Sequence, residues 1–277
     1  MTLVETSGGP VDVVEHGNPS GPSLLFVHPF MTNARHWRKV VPHLDGIRSI
    51  TPTFPFGSHA TPMHEGADLS PPGLARIAVD VLDALGVDRA TLVGNDTGGA
   101  VSQVTATKYP ERVNGLVLTS CDAYDVFPPR MFAYLKIAGR FPAVTNLLAF
   151  SLRIPGITRL PITYGWVAKE PIDRDVLKSY LEPLIRDRAI RRDVAKVIKG
   201  LDTRYTLEAA ERLRSFGEPA LIAWGAEDRF FPRRLAEQLA RDLPRAQLEI
   251  IDGARTFTPE DNPRALAELI QKFVRPG

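Results

Sequence analysis

Residues 90–100 read ATLVGNDTGGA, a short apolar run that ends in a glycine-flanked aspartate. Ala90 to Gly94 is a short apolar run of strand type, and a helical pattern starts at Thr97, so Asn95 and Asp96 fall on the turn between strand and helix. Gly94 and Gly98 carry no Cβ and let the chain fold back tightly on itself. A residue flanked two positions away by glycines, between a strand and a helix, is in the setting of a nucleophile elbow, which lifts that residue above the end of the sheet. A short aspartate also tolerates a left-handed turn for purely local reasons. The strand-to-helix context favours the functional reading of Asp96.

Working outward, Val-, Ile- and Leu-rich runs at 11–16, 23–28, 47–52, 90–94, 112–120, 219–225 and 247–252 predict strands. Between them helical patterns are expected at about 33–44, 71–85, 97–109, 207–216, 233–242 and 260–274. Continuous apolar strands alternating with helices imply an α/β fold with a mostly parallel sheet covered on both faces. From 124 to 206 no strand is expected and prolines recur at 128, 129, 142, 155, 161, 171 and 183. This segment reads as a helical cap over the carboxyl ends of the strands, with 1–123 and 207–277 forming the core.

The 277 residues are 44% hydrophobic and 24% charged with a net charge of +2, an ordinary globular balance with no electrostatic case for nucleic acid or membrane partners. The densest basic run, IRDRAIRRDVAKVIKGL at 185–201, places Ile190, Val194, Val197, Ile198 and Leu201 at helical spacing and reads as an amphipathic helix with a solvated basic face. The single cysteine, Cys121, excludes an internal disulfide framework and a cysteine metal cluster. With no signal-type N-terminus and no long apolar run, a cytoplasmic location is expected.

On these motifs the chain resembles the α/β-hydrolase superfamily over nearly its full length. The stretch FVHPFMTNARHW, 26–37, is similar to the family's oxyanion loop. The resemblance implies backbone N–H donors at Phe30 and Thr97, with His28 and Asp122 near the substrate pocket. An aspartate at the elbow looks like the branch of haloalkane dehalogenases and epoxide hydrolases, in which it attacks carbon to give an alkyl ester. That branch commonly carries a Trp after the nucleophile, where this chain has Thr97; the halide-binding Asn of many dehalogenases falls at Phe30, which fits epoxide hydrolases better. Tyr134, Tyr164 and Tyr180 of the cap are candidates for activating an oxirane oxygen.

The family acid would be Asp228 in WGAEDRFFP, with Asp122 and Asp125 after the preceding strand as the other place for it. The family histidine would fall in DGARTFTPEDNP, 252–263, where the frame places Thr256. All six histidines, at 16, 28, 36, 43, 59 and 64, precede the elbow. A threonine hydroxyl neither binds nor releases protons near neutrality. An aspartate nucleophile is already ionised at an ordinary pKa of about 3.9 and survives this loss, whereas water attack on its ester is slowed about 10²–10⁴-fold. His59 and His64, on the loop after the strand at 47–52, are the candidates for a base from elsewhere.

These residues lead to an expected enzyme in which Asp96 acts without a catalytic histidine on a bulky apolar small molecule under the cap. The step would be a rearrangement, cyclisation, lyase reaction or bond-forming ring opening, by analogy with natural-product tailoring enzymes of this fold. The alternatives are an epoxide or halide hydrolase with a relocated base and a non-catalytic binding protein. No cofactor and no metal are expected, since GNDTGG is too short for a dinucleotide fingerprint and lacks a phosphate-loop lysine. A homodimer is compatible with the sequence.

Overall fold

Alternate residues of each central strand face opposite sides of a single sheet, as a period of two requires. Leu24, Phe26, Val93, Val117, Leu221 and Ala223 pack on one side with Leu266, Ala267 and Ile270. Leu25, Val27, Leu92, Leu116, Leu118, Ile222 and Trp224 pack on the other with Leu74, Ile77 and Val101. The computed structural model describes residues 1–133, 141–154, 156–161 and 163–275.

The strands are β1 (Thr2–Thr6), β2 (Gly9–Gly17), β3 (Ser23–Val27), β4 (Arg48–Pro52), β5 (Ala90–Asp96), β6 (Val113–Cys121), β7 (Ala220–Gly225) and β8 (Ala246–Ile251). Their order is β1-β2-β4-β3-β5-β6-β7-β8. β2 runs antiparallel to β1 and β4, and the pairs from β4 through β8 are parallel. The edge strand β1 escapes the sequence reading because it buries only Val4 and Thr6 and exposes Leu3.

The helices are α1 (Pro71–Ala84), α2 (Thr97–Lys108), α3 (Pro142–Ser151), α4 (Arg174–Arg186), α5 (Arg188–Gly200), α6 (Thr203–Leu213), α7 (Arg233–Asp242), α8 (Thr258–Asp261) and α9 (Pro263–Val274). The helix expected over 33–44 is instead two 3-10 turns, Ala34–Trp37 and Val41–His43. Asn33 caps the first by accepting the Arg35 N–H, and Pro42, which has no N–H to give, sits at the start of the second. The helix expected over 260–274 is broken at Asn262, whose side chain accepts from the Ala265 N–H and opens α9.

Residues 124–206 form helices with no named strand among the described residues. In α5 the expected apolar face is buried, with Ile190, Val194, Val197 and Ile198 all inside, and it carries an additional buried carboxylate, Asp193. α2 leaves the elbow directly. A Cβ on Gly98 would lie 2.0 Å from the Val27 carbonyl oxygen, and one on Gly99 would lie 2.3 Å from the Cys121 Cβ. The two glycines therefore allow the first turn of α2 to approach β3 and β6, and this approach fixes the position of Asp96.

Candidate active site

Asp96 adopts φ 53° and ψ −126°, a backbone conformation rare for a side chain with Cβ. The register of β5 against β6 shifts between Asn95 and Asp96, so the last residue of the strand leaves the ladder as the chain turns into α2. Oδ1 of Asp96 accepts the Thr97 N–H at 2.5 Å and the Thr97 hydroxyl at 2.9 Å. Oδ2 takes no hydrogen bond among the described residues, and Asp96 lines a cavity of about 210 Å³. Burial is the main cause that pushes the Asp96 carboxyl up to about 6, with the nearby Asp228 adding to it and Thr97 opposing it.

The residue before it, Asn95, is one that sequence reasoning passed over. Its Nδ2 donates within the sheet to the Thr119 carbonyl at 2.8 Å and across to the Thr256 carbonyl at 2.8 Å, while its Oδ1 accepts from His36 Nε2 at 2.9 Å. It thereby ties the elbow, the end of β6 and the loop after β8 together. An Asn closing an apolar strand run is the sequence signal that was available; the structure buries it fully, and a buried amide requires partners. His36 carries the Nε2 proton in this arrangement, and burial holds its pKa down to about 3.

Thr256 is fully buried and its hydroxyl donates to Asp228 Oδ1 at 2.9 Å. The same oxygen accepts the N–H groups of Phe230 and Phe231 at 2.8 and 2.9 Å. Burial raises the Asp228 carboxyl above its ordinary range despite these donors. The structure thus joins Asp228 and Thr256, the residues in the frame positions of acid and histidine.

Asp122, after β6, is also buried and lines the cavity beside Asp96. Thr97 connects the two, its hydroxyl oxygen lying 3.4 Å from Asp122 Oδ2. Burial first and Asp96 second push the Asp122 carboxyl well above its ordinary range. Asp125 is exposed.

Phe30 and Thr97 both line the cavity. The Thr97 N–H is engaged by the Asp96 carboxyl, which is where a carboxylate nucleophile would rest one oxygen in an oxyanion hole. Tyr164 lines the cavity too, but its hydroxyl donates to the Met31 carbonyl. Tyr180 stacks on Tyr164 and does not line the cavity. Tyr134 lies outside the described residues.

The histidines are placed elsewhere. His28, expected at the pocket, is not among its lining residues and has both nitrogens engaged: Nε2 accepts the Phe54 N–H at 2.8 Å and Nδ1 donates to the Pro29 carbonyl at 2.9 Å. His59 is buried and pairs with Asp193 at 3.3 Å, and exposed His64 faces Glu5. Among the described residues no histidine and no basic side chain lines the cavity; Leu152, Leu184, Val194, Ile198, Phe132, Phe230 and Phe257 supply apolar walls. No group of three or more metal-ligating side chains occurs among the described residues, and no helix among them is long and apolar enough to cross a membrane.

Comparison with known proteins supports the fold. The chain is 28% identical over 264 residues to an uncharacterized hydrolase, YugF, of Bacillus subtilis, covering 93% of this chain and 92% of that one. It is 25% identical over 279 residues to haloalkane dehalogenase 2 of Mycobacterium tuberculosis, covering 97% and 93%. A crystal structure of a haloalkane dehalogenase from Bradyrhizobium elkani superposes with a TM-score of 0.82 at 18% identity, over 99% of this chain and 96% of that one, a likeness of fold. Residues 22–263 match the family described as alpha/beta hydrolase fold, and the chain belongs to that family.

Proposed function

We propose that this chain is an enzyme in which Asp96 attacks or exchanges a proton with a bulky, mostly apolar small molecule, and in which no histidine takes part. Residues 124–206 act as the cap over a core of 1–123 and 207–277. The step is a ring opening, cyclisation, lyase or other bond-forming reaction of the kind natural-product metabolism uses, in which Asp96 can be released by a group of the substrate itself. The observation that carries this reading is the hydrogen bond from Thr256 to Asp228 at 2.9 Å. It occupies the acid with a hydroxyl that cannot serve as a base near neutrality. The apolar cavity walls and the absence of a lining cation among the described residues favour a neutral substrate.

A compact alkylating probe tests the reading. Phenacyl bromide is expected to add its acyl-methyl group once to the protein, at Asp96, and to stay attached, as read by intact mass and peptide mapping. Asp96→Asn is expected to abolish this adduct, because a neutral amide is a far poorer nucleophile than a carboxylate. Modification at other positions only, or rates unchanged in Asp96→Asn, would remove Asp96 from the chemistry.

A further inference from the structure

The geometry points to Asp122 as the second catalytic residue of this site, a proton-carrying carboxyl that protonates an oxygen leaving from the carbon Asp96 attacks. After giving up that proton it becomes the base that a second nucleophile needs. The inference rests on the role proposed above for Asp96, and it narrows the substrate to small apolar molecules with an oxygen leaving group, epoxides foremost.

The Thr97 hydroxyl lies 2.9 Å from Asp96 Oδ1 and 3.4 Å from Asp122 Oδ2, and it has one proton to give. When that proton goes to Asp96 at the shorter contact, the longer contact is favourable only if Asp122 Oδ2 carries a proton and donates it. The other oxygen, Asp122 Oδ1, is buried with no hydrogen-bond partner among the described residues. A second carboxylate one hydroxyl away from Asp96, unpaired and out of water, keeps its proton instead of ionising. The groups facing it are Asp96 at the end of β5, Thr97 at the start of α2, and Gln103 of α2, whose Nε2 donates to the Asp122 backbone carbonyl at 2.8 Å and leaves the carboxyl untouched. Two other hydroxyls on the cavity wall are committed to backbone carbonyls, that of Tyr164 to Met31 and that of Thr163 to Ile157 and Leu160.

With an epoxide the atoms balance as follows. Asp96 Oδ2 forms a bond to a ring carbon, the carbon–oxygen bond of the ring breaks, and the departing oxygen takes the Asp122 proton. The products are a hydroxyalkyl ester on Asp96 and an ionised Asp122. Water then adds to the ester carbonyl and passes a proton to Asp122; the tetrahedral adduct expels the alcohol, which takes the remaining proton of the added hydroxyl. Asp96 returns as a carboxylate and Asp122 as the acid. A hydroxyl of the substrate attacking the esterified carbon closes the same cycle, with its proton going to Asp122 and a cyclic ether as product. With an alkyl bromide the leaving group departs as bromide, Asp122 keeps its proton, and the ester on Asp96 has no base to release it.

The experiment compares styrene oxide with phenacyl bromide on the full chain and on Asp122→Asn, which keeps the shape and loses the proton. The wild-type protein is expected to release diol from styrene oxide and to retain the phenacyl adduct. In Asp122→Asn the reaction with styrene oxide is expected to fall about 10²–10⁴-fold, while phenacyl ester formation, whose bromide leaves without a proton, is expected to lose far less. Equal losses with both probes, or no loss with either, would overturn the role of Asp122. A styrene oxide that stays inert while the bromide reacts would overturn the oxygen-leaving-group assignment. The infrared carbonyl band of a protonated carboxyl, present at about pH 8 where an ordinary aspartate is ionised and lost in Asp122→Asn, reads the proton independently of both probes. Its absence in the wild-type protein overturns the proposal even if Asp96 alkylates, and failure of alkylation with the band present strikes the role of Asp96 alone.

Discussion

Asp96 and Asp228 are two partly buried carboxylates at the same end of the sheet, each accepting a threonine hydroxyl at 2.9 Å, and they are set for different work. Asp228 concentrates two backbone N–H groups and the Thr256 hydroxyl on one oxygen and does not line the cavity. Asp96 receives one N–H and one hydroxyl, both from Thr97, and lines the cavity. Donors convergent on Asp228 from two segments hold the loops after β7 and β8 together, which is an architectural use of charge. The donors on Asp96 come from its own neighbour and leave Oδ2 to whatever enters the cavity. The comparison teaches that burial alone does not mark the reactive carboxyl; the direction from which its donors come does.

The most damaging way to break this contrast is to move the elbow. Gly98→Ala places a methyl group 2.0 Å from the Val27 carbonyl oxygen and 2.7 Å from that of His28, both backbone atoms that cannot rotate away. The expected loss of stability is about 3 kcal/mol or more, from overpacking that shifts α2 against β3. Gly217→Ala, where nothing lies within 4 Å of the added Cβ, is the control and is expected to be nearly neutral. Chemical denaturation of the two variants decides the matter; similar midpoints would mean that the turn yields and that Asp96 is not rigidly held.

Replacing the hydroxyl on Asp228 by an imidazole would sharpen the comparison. Thr256→His is expected to release the phenacyl ester of Asp96 about 10²-fold faster than the parent, since a base positioned by a carboxylate restores part of the general-base contribution. Decay of the adduct by intact mass measures it. A folded variant whose adduct persists would show that the corner around Asp228 does not aim a side chain at Asp96.

Much of the fold was legible because it depends on pattern. Seven of the eight strands follow from apolar runs, and β5 with its buried run ATLVG led directly to the elbow. What was not legible depends on partners from distant parts of the chain. The 33–44 segment has helical apolar spacing, yet the Asn33 cap and Pro42 give it two short turns. His59 looked available on a polar loop, but Asp193 of α5, 134 residues on, holds it inside. Asp122 was expected near the pocket, but its approach to the Thr97 hydroxyl, 25 residues away in the chain, depends on the pairing of β5 with β6. Thr256 was placed by frame alone, while its tie to Asp228 needed the two loops to meet.

The smallest effect concerns stability and pH, and it separates Asp96 from an ordinary surface aspartate. Its carboxyl is raised from 3.8 to about 6 in the folded protein, chiefly by burial. The folded state therefore binds this proton more tightly than the unfolded chain does. The favourable contribution is fully present below the unfolded value, and it is lost as pH rises through about 6, so at neutral pH the ionised group opposes folding. Asn has the size and shape of Asp, so the strain of the positive-φ turn is nearly the same in both proteins, and it carries no charge. Asp96→Asn is expected to be about 1–2 kcal/mol more stable than the parent above pH about 6, less than the full linkage value because the carboxyl opens onto a cavity. The advantage should vanish below about pH 4, where both side chains are neutral. Thermal melts of the two proteins across this range test it. A gain that persists in acid would trace to the turn rather than to the charge, and a loss at neutral pH would mean that the Thr97 donors stabilise the carboxylate more than burial penalises it.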